Sequence, residues 1–166
     1  MSLNNITLAP SLIEGLFKKT LVELKTNSAV KLPNPAATFQ ILGKNKKGVI
    51  ILVDNNATAF LPEAELNFLI TILSACKLTL EDVGILNMAK STQLKYQQFE
   101  KEIIANKIIL LGVAPTAIDL PLSFPYYQIQ AYNHVTYLAA PSLMVLLEQK
   151  TEKIKLWNCL KLIFDI

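Results

Sequence analysis

Apolar residues recur along this chain in two rhythms, one of helices and one of buried strands. Ile13, Phe17, Leu21 and Leu24 stand at helical spacing with Leu12 and Leu16 beside them, which predicts an amphipathic helix over Ser11 to Lys25 with Ser11 as its N-cap. Leu66, Ile70 and Leu73, widened by Leu69 and Ile72, predict a second helix over Leu61 to Lys77. Pro62 suits its first turn, Glu63 and Glu65 suit the positive end of its dipole, and Lys77 suits the negative end. Leu94, Phe99, Ile103 and Ile104 predict a third helix over Ser91 to Ala105, and Pro141 to Lys150 and Thr151 to Phe164 read as two more, joined by a bend.

The strand rhythm is carried by short unbroken apolar runs: Gly48 to Val53 (GVIILV), Val83 to Leu86, and Lys107 to Val113 (KIILLGV). A run that is apolar at consecutive positions suits a strand covered on both faces. Thr38 to Leu42 is expected to pair with Gly48 to Val53 around the turn Gly43 to Lys47. Pro121 to Leu138, rich in Tyr, Phe and Pro, reads as a loop with one or two strands.

Strands that alternate with helices imply βαβ crossovers. The expected fold class is therefore α/β, three-layer, with a mainly parallel central sheet flanked by helices. Thr26 to Ala37, with two prolines and two asparagines, reads as a linker. It divides the chain into an N-terminal helix with its linker (1–37) and an α/β domain (38–166). Ligands of such sheets bind at the carboxyl ends of the strands. Here those ends are Asp54-Asn55-Asn56, Asn87-Met88 and Gly112 to Pro115.

Composition narrows this picture. A chain of 166 residues can bury a core without disulfides or metals. Hydrophobic residues make up 52% of it, yet no run approaches the roughly 20 consecutive apolar residues of a membrane span, so the excess belongs to a core or an interface. No basic stretch followed by an apolar run opens the chain, and Cys76 and Cys159 sit far apart inside predicted helices. Both features point to a cytoplasmic protein with reduced thiols. All 16 basic residues are lysine, and the net charge is only +3. Arginine is the preferred reader of guanine and phosphate, so sequence-specific nucleic-acid recognition is not expected.

Chemistry is sparse. Neither GxGxxG nor a phosphate loop occurs, the single histidine and two cysteines have no ligand spacing, and no cofactor or metal is expected. His134 has no nucleophile motif with it and reads as a strand-face or loop residue rather than a general base. Asp54 and Asp119 follow apolar segments, where catalytic carboxylates occur, but both also suit turns, as do Asn55 and Asn56. Phe124, Tyr126, Tyr127, Tyr132 and Tyr137 would stack bases only if exposed, and no lysine is interleaved with them, so packing is the better reading. Along the last helix Ile154, Trp157 and Leu160 form one apolar stripe, and Leu156, Cys159 and Ile163 a second. That is a core-facing pattern with a lysine face, and Trp157 is also the residue type favoured as a partner anchor.

These residues together resemble the psi subunit of bacterial DNA polymerase III. The resemblance rests on the strand VIILVDN followed by LPEAELNFLITILSACKLTLEDVGILN, on IILLG at Ile108 to Gly112, and on the C-terminal APSLMVLLEQKTEKIKLWNCLKLIF. In the last stretch Pro141, Leu143, Lys153, Leu156, Trp157 and Leu160 stand where that family carries a Pro-x-Leu helix start and a basic helix with Leu-Trp. Membership would imply a uracil-DNA-glycosylase-like fold without catalysis. It would also imply the role of an adaptor in the replicative clamp loader, with an N-terminal peptide on the loader collar and the body holding a chi-like subunit.

The partner-binding residues so implied are Leu143, Leu156, Trp157 and Leu160, with Ile13, Phe17 and Leu21 of the N-terminal helix as a groove-binding face or as a face packed on the protein's own sheet. Two other readings stand beside it. One is a divergent glycosylase-like enzyme, for which Asp54 to Asn56 and Ala139 to Leu143 occupy the positions of the two family loops without their full residue sets. The other is a self-associating α/β interaction domain, a homo-oligomer.

Overall fold

The computed structural model describes residues 40–91, 101 and 103–166, and their architecture is α/β. Strands β1 (Ile41–Gly43), β2 (Val49–Val53), β3 (Val83–Asn87), β4 (Lys107–Leu111), β5 (Ile129–Tyr132) and β6 (Val135–Ala140) form one six-stranded sheet in the order β1-β3-β2-β4-β6-β5. The inner strands β3, β2, β4 and β6 run parallel, whereas β1 and β5 pair antiparallel at the two edges. The sheet is thus mixed, and its parallel character is confined to the centre. Burial explains the placement: β2 and β3 are buried at every position, and β4 at all but its first, so none of them can sit at an edge. The edge strands β1 and β5 have no fully buried residue.

Register sorts the apolar side chains onto two faces. Ile50, Leu52, Leu86, Ile108, Leu110, Tyr137 and Ala139 point to one, and Val49, Ile51, Val53, Ile85, Ile109, Leu111, Leu138 and Ala140 to the other. Helices α1 (Glu63–Ala75), α2 (Leu143–Glu148) and α3 (Lys150–Phe164) cover the second face. Among the described residues the first face is covered by Ile103 and by the irregular segment Val113 to Phe124, which holds a single 3-10 turn at Pro115–Ile118. No helix among the described residues is long and apolar enough to cross a membrane. The predicted helix Ser11 to Lys25 lies outside the described residues, and Ser91 to Ala105 does so in large part.

The expected hairpin between the first two strands does not form. β1 pairs with β3, Ile41 opposite Leu86 and Gly43 opposite Gly84, so β3 separates it from β2. The segment that reads as a hairpin turn instead crosses the entrance to β3: Asn45 N–H donates to Val83, Lys46 N–H to Glu81 and Lys47 N–H to Asp82. Lys44 and Lys46 both pair with the Glu81 carboxylate, holding the crossing in place. Gly43 makes the bend, at φ +104°, and a Cβ there would lie 2.2 Å from the Val83 carbonyl oxygen.

The predicted second helix forms as α1, trimmed at both ends. It closes in a Schellman arrangement, Leu78 N–H to Leu73 and Lys77 N–H to Ser74, with Lys77 left-handed at φ 56° and Leu78 buried. The C-terminal helices are the bent pair read from the sequence, interrupted at Gln149, whose extended φ −107° and ψ 109° break the helix.

Candidate functional site

Two of the concavities on the described surface differ in chemistry. The first is a polar cleft of about 430 Å³ at the carboxyl ends of β2 and β3, lined by Gln40, Ala57, Thr58, Ala59, Asn87, Lys90 and Ser91. Asn87 builds it. Its side chain is 2% exposed and ties the loop after β2 to the end of β3. The amide nitrogen donates to the carbonyls of Asn55 (2.7 Å), Thr58 (3.1 Å) and Ala59 (3.1 Å), while Oδ1 accepts from Asn55 N–H (3.0 Å) and Ala89 N–H (3.2 Å). Asn55 closes the loop on itself, its Oδ1 accepting from the Ala57 and Thr58 amides as an Asx turn does. Lys90 Nζ donates to the Asn56 carbonyl at 2.9 Å and is the one ionisable side chain in the described lining.

The second concavity is an apolar groove of about 180 Å³ between α1 and α3, lined by Phe68, Thr71, Ile72 and Ala75 on one helix and Lys153, Leu156, Trp157 and Leu160 on the other. Trp157 is half-buried at its margin. The ammonium of Lys153 stands 5.2 Å from the centre of the Phe68 ring, a cation–π contact that bridges the two helices.

On its opposite flank α3 is held by Tyr127, which leads into β5. Tyr127 donates from its hydroxyl to the Glu152 carboxylate, and its carbonyl accepts from the Cys159 thiol at 3.3 Å. Lys155, and after it Tyr127, hold the Glu152 carboxyl below the usual carboxylate range. Burial, and then the carboxylate itself, push the Tyr127 hydroxyl above the usual phenol range. Tyr127 adopts φ 65°, a strain of order 1–3 kcal/mol that these contacts offset. Burial also pushes both cysteine thiols up.

The sequence-predicted partner residues separate on inspection. Leu143, Leu156 and Leu160 are 2%, 3% and 2% exposed and belong to the core under α2 and α3, where Leu156 and Leu160 also form the floor of the α1–α3 groove. The two expected stripes of α3 divide differently: Leu160 joins Leu156 and Cys159 inside, Ile154 is half exposed, and Trp157 lies between. Ile13, Phe17 and Leu21 lie outside the described residues.

His134 and Asn133 form the two-residue turn of the β5–β6 hairpin, both at positive φ and exposed, which is the conformation of a type I′ turn. Asp54 is exposed just past β2, and Asp119 ends the 3-10 turn in a left-handed conformation, a turn position as read. The aromatic residues make no common platform: Phe124 and Tyr137 are in the core on one face of the sheet, while Tyr127 packs on the other, edge-on to Tyr126. Reading the sequence placed Asn87 at a carboxyl strand end, but nothing in it marked the side chain as buried and bonded to the loop after β2. Among the described residues no cluster of histidine, cysteine and carboxylate side chains could hold a metal ion.

Compared with models of protein families and with curated proteins, the chain matches none.

Proposed function

We propose that this chain is a non-catalytic adaptor of the psi type, a subunit that joins other proteins in a replicative clamp-loader complex, and that its α/β architecture is the uracil-DNA-glycosylase-like variant. The observation that carries the adaptor reading is the α1–α3 groove, where the chain's single tryptophan stands half-buried against apolar side chains in the outer layer of the fold. Its volume, about 180 Å³, is below the roughly 300–1,000 Å³ of small-molecule sites and suits the side chains of a protein partner. Tryptophan is also the residue type most enriched where interface energy concentrates. Four consecutive parallel strands with helices across one face support the α/β half of the fold reading.

The test is affinity capture of the tagged chain from native lysate with identification of what it holds. Clamp-loader subunits are expected, reduced by Trp157→Ala in a variant whose melting temperature stays close to that of the parent. Their absence from a capture that retains folded protein would sink the clamp-loader assignment.

A further inference from the structure

The α1–α3 groove has a charge pattern that selects among partners. Lys153 lies in its lining, and among the described residues no acidic side chain does. Along α3, Lys150, Lys153, Trp157 and Lys161 follow one another at steps of three and four residues, so they share a single stripe of the helix. Lys77, just past the end of α1, is exposed. Among the described residues, Lys150, Lys153 and Lys161 make no ion pair. The cation next along the helix, Lys155, is spent on Glu152 at 2.7 Å. The acids on these helices lie away from the lining: Glu152 is turned to Tyr127 and Lys155, and Glu63 and Glu65 occupy the first turn of α1, before the groove starts at Phe68.

The groove follows α1 from Phe68 to Ala75 and α3 from Lys153 to Leu160, about two helical turns on each. An apolar trough of that length between two helices is the seat of a third helix, entered by side chains at i and i+4 spacing.

We propose that the α1–α3 groove binds an amphipathic helix of a partner protein whose apolar face is flanked by aspartate and glutamate, the acids pairing with Lys150, Lys153 and Lys161 while its apolar side chains pack on Trp157, Phe68 and Ile72. This rests on the adaptor reading and names the chemistry of the partner for the groove. Apolar burial supplies the affinity, and the lysine stripe supplies selectivity and a faster encounter. A basic amphipathic helix is rejected, because it would set like charges against unpaired lysines in a partly desolvated site.

Trp157 is the chain's single tryptophan, so its emission reports the groove directly. The probes are three synthetic helix-forming peptides of about 15 residues. One carries Leu and Phe at i, i+4 with Glu on both flanks, one has Lys in place of each Glu, and one has Ser in place of each Leu and Phe. The full chain is titrated with each at low and moderate salt. The acidic apolar peptide is expected to shift Trp157 emission to the blue and to saturate, at least tenfold tighter than the lysine peptide, with affinity falling as salt rises.

The double charge reversal Lys153→Glu with Lys161→Glu is expected to invert the preference between the two charged peptides. Both residues are half-buried and the change removes the Lys153–Phe68 contact, so the variant should keep the circular dichroism of the parent with a melting temperature lower by roughly 2–4 °C. Equal affinity for the acidic and lysine peptides would overturn the proposal, as would no emission shift with any peptide. Concentration-dependent self-association that shifts Trp157 without peptide would overturn it in favour of a second copy of this chain. Each of these results can coexist with capture of clamp-loader subunits, so the partner chemistry and the adaptor reading can fail separately.

Discussion

Changing Asn87 to alanine tests how the strand-end cleft is held together. Asn87 is the one polar residue that is fully buried among those described, and its side chain reaches two backbone amides and three carbonyls. Alanine removes every one of these contacts and leaves a small void. A buried backbone group left without a partner costs about 1–3 kcal/mol. Asn55 to Ala59 and Ala89 are half to fully exposed, so water can re-satisfy part of the five groups, and the loss is that of about two of them. The expected loss is therefore about 3 kcal/mol. For a chain of 166 residues this corresponds to roughly 6–12 °C in melting temperature.

Urea and thermal unfolding followed by circular dichroism measure the loss. Amide exchange at Asn55, Ala57 and Thr58 locates it, because these amides depend on Asn87 directly or through Asn55. Asn87→Asp separates hydrogen bonding from shape. It keeps an acceptor, loses the donors and buries a carboxyl that folding prefers neutral. Its folded pKa therefore rises above the unfolded one, and the variant should recover stability as pH falls. A loss for Asn87→Ala within the roughly 0.5 kcal/mol of an ordinary surface substitution, with unchanged exchange in the loop, would refute the reasoning.

Other outcomes follow from single features. Gly43→Ala places a Cβ 2.2 Å from the Val83 carbonyl oxygen at φ +104° and is expected to destabilise by about 3 kcal/mol in chemical denaturation. His134→Gly relieves a left-handed residue in a type I′ turn and is expected to raise stability by about 0.5–1 kcal/mol, read as a higher urea midpoint at unchanged slope. Glu152, held down by Lys155 and Tyr127, contributes stability that is present above its ordinary value of 4.5 and lost as pH falls through its lower folded value. Urea midpoints between neutral and acidic pH should therefore fall more steeply for the parent than for Glu152→Gln.

Much of the secondary structure was legible along the chain because it depends on local pattern. VIILV, VGILN and KIILL are apolar on both sides of the strand, and only central strands of a covered sheet tolerate that. Leu69 and Leu73 set the inner face of α1, and its end was foreshadowed by the lysine that follows it. Asp119 read as a turn residue and His134 as a strand-face or loop residue because nothing around them completed a catalytic set, and both lie in turns.

Pairing and sidedness were decided elsewhere. Nothing within Ile41 to Gly43 distinguishes β2 from β3 as its neighbour. The choice follows from hydrogen bonds and ion pairs to Glu81, Asp82 and Val83, some forty residues away in the chain. Periodicity likewise placed an apolar band on α3 but left its orientation open. The sheet beneath draws Leu156, Cys159 and Leu160 inward, and α1 alongside leaves Trp157 half-buried beside a row of lysines. Asn87 shows the same division: composition marks it only as a polar residue at the end of a strand, and its weight in the fold comes from four backbone groups of the loop after β2 that approach when β2 and β3 align. Local sequence determined which segments become strands and helices, because steric preference and hydrophobic period act over a few residues. Long-range packing decided which faces meet and which polar groups are buried, because those contacts exist only once distant segments share one sheet.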